Sequence, residues 1–151
     1  MGWWAEQIDR NIDGSSELPK VVQRLNIGRI AEWSPGYVRK EWELDPDMLN
    51  PANVLFGGYV GVLADQVFTF TAMTVLEDHE SLRTSDMQIR FFRPIAAGPV
   101  KIEGRVVNRA KKSVHVDVTF TTPDGKLAAK ASGDMTVLSN EPLLKAAREK
   151  G

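Results

Sequence analysis

The sequence contains no cysteine and only two histidines among its 151 residues. The lack of cysteine excludes disulfide bonds, zinc–thiolate sites and cysteine nucleophiles. The histidines, His79 and His115, form no His-x-x-x-His pair, and we therefore expect no metal site. A glycine-rich dinucleotide fingerprint and a P-loop are also missing, and no cofactor is expected.

The chain also lacks a charge excess and a long uninterrupted apolar run. Lys and Arg number 19 against 20 Asp and Glu, a balance that argues against a nucleic-acid binder. Residues 59–76 are apolar enough to suggest a membrane span, but Asp65, Gln66 and three threonines interrupt them. The N-terminus has neither the basic start nor the apolar core of a signal peptide. We therefore expect a cytoplasmic protein with no membrane contact.

The length and the 42% apolar content fit one domain that can bury a stable core without disulfide bonds or a structural metal. Hydrophobic periodicity predicts helices at 3–13 and 17–26, extended segments at 29–33 and 37–44, a long apolar helix from Gly57 to near Asp78, strands at 84–92, 100–107, 113–121 and 126–138, and a helix or tail at 141–151. The organisation expected is an N-terminal helical extension (1–30), one domain (31–140) and a C-terminal tail (141–151).

The fold class predicted from this order is α+β. A helix that is apolar on nearly all sides must be enclosed. A long antiparallel sheet, with its last four strands in a meander, could curl around it. The outer face of that sheet is expected to remain partly apolar, which favours a homo-oligomer.

Asp65 is the main candidate for chemistry, because it is the only formal charge between Met48 and Leu76. A buried, unpaired carboxylate costs several kcal/mol, so its presence needs a use or a partner. One interpretation is a base or nucleophile in an apolar pocket, where burial raises the pKa of the carboxyl. The other is a structural ion pair with Arg90 or Arg93.

Gly57 and Gly58 open the long helix. Glycines there let a ligand approach free backbone N–H groups, and the positive helix end favours developing negative charge. The alternative is a need for tight packing between helix and sheet. Asn50, in the preceding loop, could bind water or a carbonyl or only form a turn. Thr84, after the helix, could orient a carboxylate or be an ordinary strand residue.

A basic segment follows between Asp86 and Lys112, with seven cations and two acidic residues. Solvated strand faces would explain it. The functional interpretation is a docking site for a small polyanion such as a nucleotide phosphate. The turn that contains Arg109, Lys111 and Lys112 is the best candidate.

These features together resemble the hotdog-fold acyl-CoA thioesterases, in particular the phenylacetate-degradation type. The segment from Asn50 to Asp65 is similar to that family's Asn-x6-Gly-Gly-x6-Asp signature. The resemblance covers about residues 36–138 and includes Phe91-Phe92-Arg93-Pro94 and Asp124-Gly125-Lys126-Leu127-Ala128. It implies a hotdog fold, in which a curved antiparallel sheet wraps a long central helix, here with extra N-terminal helices.

The resemblance also implies residue roles. Asp65 takes the place of the catalytic carboxylate, and Gly57 that of the residue whose N–H polarises the thioester carbonyl. Asn50 corresponds to the amide that orients water or substrate, and Thr84 to the Ser or Thr that assists. The remaining expected substrate-binding residues are Phe56, Gly58, Tyr59, Phe68, Arg93, Arg109, Lys111 and Lys112.

Two positions depart from the family pattern. Phe56 stands where the family usually has His, and Asn53 where it usually has Gly. A phenyl ring cannot hydrogen-bond a thioester, but it can line or narrow an acyl pocket. Because of Phe56, a protein that binds acyl-CoA without catalysis remains the alternative to a thioesterase. A hydratase is less favoured, because its Asp/His pair would need a histidine near the helix start.

Helix geometry adds an independent argument on assembly. Gly57 and Asp65 are eight residues apart, or about 12 Å along a helix. One thioester carbonyl cannot lie within about 3 Å of both. A two-fold dimer would bring Gly57 and Asn50 of one chain opposite Asp65 and Thr84 of the other. The resemblance implies an acyl-CoA hydrolase, with CoA as part of the substrate, and a dimer or dimer of dimers.

Overall fold

The computed structural model describes residues 2–139 and 141–150. In chain order the elements are α1 (Trp3–Asp13), α2 (Lys20–Arg24), β1 (Glu32–Ser34), β2 (Tyr37–Trp42), a 3₁₀ turn (Pro46–Met48), α3 (Gly57–Met73), β3 (Glu80–Thr84), β4 (Gln88–Phe91), β5 (Val100–Arg109), β6 (Ser113–Thr121), β7 (Leu127–Ser139) and α4 (Glu141–Lys150). The predicted boundary at residue 140 and the last tail residue, Gly151, lie outside the described residues.

The strands form one antiparallel sheet in the order β1-β2-β5-β6-β7-β3, and β4 also pairs with β7. Strict alternation in β6 places four side chains in the core and their neighbours on the outer face. Helix α3 packs on the concave face that they form. The prediction of a curved antiparallel sheet around one long helix is confirmed.

Close packing of α3 on the sheet depends on one glycine. A Cβ atom at Gly104 of β5 would overlap Thr71 of α3, so only glycine lets the helix approach. Leu63, Val67 and Ala72 of α3 are fully buried against the sheet. Removing a core side chain of the size of Leu63 costs about 2–5 kcal/mol, so this face contributes heavily to stability.

Several predicted boundaries were wrong. Helix α3 ends at Met73 rather than near Asp78. Thr74 stops it: its hydroxyl donates to Thr71 O and accepts from Gly36 N–H at the β1–β2 turn. The second N-terminal helix is only five residues long and starts after Pro19 rather than at residue 17.

The strand predicted at 84–92 is also two strands, β3 and β4, both paired with β7. The N–H groups of Ser85 and Asp86 both donate to Asp134 O. This shared acceptor interrupts the regular pairing with β7 and separates β3 from β4. The last strands are therefore not a simple four-strand meander, since only β5, β6 and β7 follow one another in the sheet.

The outer face of the sheet is polar, contrary to the expectation of a partly apolar one. On the central strands it carries Lys101, Glu103, Arg105, His115, Asp117, Thr119, Lys130, Ser132 and Asp134. Three of the exposed large apolar side chains instead gather near the start of α3: Phe56 at 57%, Phe91 at 54% and Phe92 at 52% exposure. Any association driven by apolar burial is therefore favoured at that edge.

The N-terminal extension folds back onto the domain. Ile8 of α1 is fully buried, and Asn11 Oδ1 accepts from Ile30 N–H at 2.9 Å. Trp33 Nε1 donates to Asp9 Oδ1 at 2.7 Å. Among the described residues, no helix has both the length and the hydropathy required to cross a bilayer.

Candidate functional site

The start of α3 presents two free hydrogen-bond donors. Phe56 precedes the helix in an extended conformation, and its carbonyl accepts from the N–H groups of Tyr59 and Val60. Among the described residues, no acceptor contacts the N–H of Gly57 or Gly58. These two donors at the positive end of a 17-residue helix can bind an anion or a polarised carbonyl oxygen.

One face of α3 runs alongside the sheet edge formed by β3 and β4. A Cβ atom at Gly57 would lie 3.4 Å from Phe91 Cζ, and one at Gly61 would lie 3.3 Å from Ile89 Cδ1. One helical turn further, Asp65 contacts Thr84. Positions four residues apart share a helix face, so the two glycines and the carboxylate form one row along this edge.

Asp65 accepts a hydrogen bond from Thr84 Oγ1 at its Oδ1 atom, over 3.0 Å. The expectation that Asp65 is buried was wrong for the single chain, where it is exposed. The sheet covers α3 on one side only, so a side chain on the open side stays in solvent. The predicted alternative of an ion pair was wrong too, since among the described residues neither Arg90 nor Arg93 contacts it.

Asn50 organises the loop before α3. Its Oδ1 accepts from the N–H groups of Ala52 at 2.9 Å and Val54 at 3.3 Å. This is the turn-forming role, but it uses only the carbonyl oxygen. Among the described residues the Nδ2 group of Asn50 has no partner and is available as a donor. Asn53 has φ 60°, a left-handed conformation that Asn tolerates better than most residues.

The predicted aromatic substrate contacts divide into two groups. Phe56 lies exposed over Gly58, where an added Cβ would be 2.8 Å from Phe56 Cε1. Tyr59 is 4% exposed, and its hydroxyl donates to Leu25 O at 2.6 Å. Phe68 is 1% exposed within the core and lines neither cavity at the start of α3, and its role as a substrate contact stays a prediction. It lies on the helix face that packs against the sheet.

Two cavities flank the start of α3. One, of about 320 Å³, lies towards β4 and is lined by Val54, Leu55, Val60, Phe91, Phe92, Arg93, Pro94 and Ile95. The other, of about 410 Å³, lies towards the N-terminal extension and is lined by Leu25, Asp47, Met48, Leu49, Phe56, Gly58, Tyr59 and Val62. The sequence alone did not suggest that Leu25, Met48 and Val62 line a cavity. The one available signal was the position of Val62, four residues after Gly58 on the same helix face.

The basic residues are not equally available. Arg109 donates to Glu80 Oε2 at 2.6 Å, which joins the β5–β6 turn to the start of β3. Burial opposes ionisation of Glu80, but hydrogen bonds from Glu77 N–H and Arg109 hold its pKa below the usual value. Lys111 and Lys112 are exposed, as is Arg93, which lines the first cavity. Arg93 also lines an adjoining cavity of about 390 Å³ that includes Lys126.

Sequence analysis also missed Lys40. It alternates with Val38 and Trp42 on the inner face of β2 and is 1% exposed. Its Nζ donates to Arg29 O at 3.0 Å, and burial lowers its pKa to about 8. The sequence signal for a buried cation was a lysine between Val38 and Trp42, at an alternating position that faces the core. Within the part of the chain that the structure describes, no three His, Asp or Glu side chains are grouped to hold a metal.

Comparison with known proteins gives a consistent assignment. The family model described as the thioesterase superfamily matches residues 52–129. A proposed esterase of Saccharolobus solfataricus is 34% identical over 85 residues, which cover 56% of this chain and 60% of that protein. The match thus spans less than two thirds of that relative's length.

Solved structures show the same fold. A proposed thioesterase of Ralstonia eutropha, related to phenylacetic acid degradation, is 27% identical with a TM-score of 0.76, covering 85% of this chain and 98% of that one. The PaaI protein of the Escherichia coli phenylacetic acid degradation operon is 20% identical with a TM-score of 0.76, covering 91% and 97%. The hotdog fold and the resemblance inferred from the sequence are confirmed.

Proposed function

The chain belongs to the thioesterase superfamily, and from this premise we propose that it hydrolyses acyl-CoA thioesters to a free acid and CoA. The observation that carries the proposal is the pair of free N–H groups at the start of α3, at Gly57 and Gly58, on the same helix face as the hydrogen-bonded Asp65–Thr84 pair. The first can polarise a thioester carbonyl, and the second can activate water.

In the proposed reaction the carbonyl oxygen accepts a hydrogen bond from Gly57 N–H as negative charge develops on it. Asp65 takes a proton from water, whose oxygen adds to the carbonyl carbon. The C–S bond then breaks, and the proton passes to the departing CoA sulfur. Direct attack by the Asp65 carboxylate is the alternative first step. Thr84 holds the carboxylate, and Asn50 Nδ2 can orient water or substrate.

The donors and the base cannot serve one carbonyl within a single chain. Gly57 and Asp65 lie eight residues apart on α3, or about 12 Å along the axis. A site that uses both therefore needs a second copy of the chain, with each copy supplying one of the two groups.

The sheet edge suits that assembly. Strands β3 and β4 pair with β7 on one side, and among the described residues no strand pairs with their other side. Antiparallel pairing of this edge with its copy, centred near residues 87 and 88, would set Thr84 opposite the partner's Phe91. Because Gly57 lies against Phe91, Asp65 would then approach the partner's Gly57. This supports a homodimer, which could pair into a tetramer.

The proposed CoA phosphates need free cations. Arg93, Lys111 and Lys112 form no ion pair among the described residues, whereas Arg109 is engaged by Glu80. The phosphate-binding role is therefore proposed for the first three. A structural role accounts for Arg109, which was also expected to bind substrate.

A panel of acyl-CoA esters, with release of the CoA thiol as the signal, tests the function. Asp65→Asn should lower kcat by about 10²–10⁴, the usual effect of losing a general base. It should leave the melting temperature unchanged, since the amide oxygen of the new side chain can still accept the hydrogen bond from Thr84. Asp13→Asn, at the exposed carboxylate that ends α1, is the matched control. Hydrolysis by the Asp65 variant at the normal rate would refute the role of Asp65.

Complementation tests the shared site. Gly57→Pro removes the N–H at the first helical position, where proline is tolerated, and the extended Phe56 accepts a following proline. Mixing inactive Gly57→Pro and Asp65→Asn chains after reversible dissociation should restore part of the activity. A fully active monomer would contradict the proposal.

Phe56 favours a second candidate, a protein that binds acyl-CoA without hydrolysing it. Its ring lies over Gly58, beside the free N–H groups, and offers no hydrogen bond. Tight binding of acyl-CoA with no thiol release across the panel would support this candidate over the enzyme.

A further inference from the structure

We propose that the N-terminal extension forms one wall of the acyl pocket, and that Leu25 determines the length of acyl chain that the protein accepts. The inference rests on the proposed function, because it names the part of an acyl-CoA that the second cavity receives. Residues 1–30 lie outside the residues 52–129 that the thioesterase superfamily model matches, so that match by itself assigns no role to this wall.

The cavity has the chemistry of an acyl site. Its volume is about 410 Å³, and its apolar lining is Leu25, Met48, Leu49, Phe56, Tyr59 and Val62. Asp47 is the one charged residue that lines it. A cavity of this size with a mainly hydrophobic wall suits a compact apolar group.

The cavity also has the right position. Gly58 lies at its border, and Val62 follows four residues later on the same helix face. A thioester carbonyl held at the start of α3 would thus have this cavity beside it. The cavity on the other side is lined by Arg93, which forms no ion pair among the described residues, and this suits the phosphate-bearing CoA arm.

The wall is held firmly. The Tyr59 hydroxyl donates to Leu25 O at 2.6 Å and lies 3.1 Å from Asn26 O. Trp42 Nε1 donates to Asn26 O at 2.9 Å, and Gln66 Nε2 donates to Gly28 O at 2.7 Å. The buried Tyr59 and Trp42 and the half-buried Gln66 therefore fix the backbone that carries Leu25. A chain longer than the cavity would have to displace this anchored segment.

The test uses non-hydrolysable S-alkyl-CoA thioethers with alkyl chains of 2 to 12 carbons, and binding is measured by calorimetry. Leu25→Trp should weaken binding of the longest chain that the wild type holds by about tenfold, the effect of excluding two methylenes. It should leave the two-carbon thioether unaffected. Leu25→Ala should extend the accepted length. Val21→Trp, at an exposed residue of α2, is the matched control and should change nothing.

Met48→Trp, at another apolar residue that lines the cavity, provides a second variant and should also shorten the accepted chain. The proposal would be overturned if Leu25→Trp weakened binding equally at all chain lengths. It would also be overturned if Leu25→Trp and Met48→Trp both left the dependence of affinity on chain length unchanged. Neither result would contradict acyl-CoA hydrolysis. A length shift in a protein that hydrolyses no thioester would support the pocket and overturn the enzyme. A wild type that binds none of the thioethers would overturn both.

Discussion

Replacing Lys40 by Met should stabilise the protein at neutral pH. Lys40 is a fully buried cation whose one hydrogen bond among the described residues goes to Arg29 O. Burial disfavours the charged ammonium and lowers its pKa from 10.5 to about 8. A methionine of similar length can fill the same space without a charge.

The magnitude follows from proton linkage. Below pH 8 the amine is charged in both states, and the pKa difference costs the fold about 3 kcal/mol. Between pH 8 and 10.5 only the unfolded chain binds the proton, so stability rises with pH and the cost falls to about 1 kcal/mol near pH 9.5. Losing the bond to Arg29 O costs about 1 kcal/mol at either pH. Lys40→Met should therefore gain about 2 kcal/mol at pH 7 and almost nothing at pH 9.5.

Urea unfolding at pH 7 and 9.5, followed by tryptophan fluorescence at one protein concentration, measures the difference. Readings should stay below pH 10, because burial raises the pKa values of Tyr37 and Tyr59 to about 12, and the stability they contribute is lost above pH 10. Lys20→Met, at an exposed lysine of α2, is the control. A Lys40→Met variant that is less stable at both pH values would refute the reasoning.

Two other substitutions test a structural ion pair and a residue that positions Asp65. Glu80→Gln should cost about 1–3 kcal/mol in urea unfolding, because it leaves the partly buried Arg109 cation without a carboxylate to neutralise it; an unchanged midpoint would show that the ion pair contributes nothing. Thr84→Val should lower kcat about 10- to 100-fold with the melting temperature retained, since a hydrogen bond to a charged carboxylate is lost. Thr84→Ser should recover most of that rate, and a valine variant with normal kcat would remove Thr84 from the site.

Local patterns were enough for the elements and the motif. Alternating valines in 113–121 predicted β6 with its bounds, and the Gly57-Gly58 pair located the start of α3. The spacing from Asn50 to Asp65 carries the resemblance to the thioesterase signature, and the roles that it implies for Gly57 and Asp65 stay predictions. These features depend on period and on residue type within one segment, which the sequence states directly.

Tertiary contacts decided what local patterns could not. The end of α3 depends on Thr74 meeting Gly36, and the break between β3 and β4 depends on Asp134 in a strand far along the chain. No periodicity encodes such distant partners. The burial of Phe68 and the exposure of Asp65 likewise depend on which side of α3 the sheet covers.

The sequence by itself determined which groups are present: two glycines at a helix start, a lone carboxylate in an apolar helix, strands that can enclose that helix, and no cysteine nucleophile. Only the tertiary structure assigned partners. In the folded chain Thr84 is hydrogen-bonded to Asp65, Arg109 to Glu80, and Lys40 to Arg29 O. Residue type fixes what a group can do, but distance and burial decide which partner it meets, and both are properties of the folded chain as a whole.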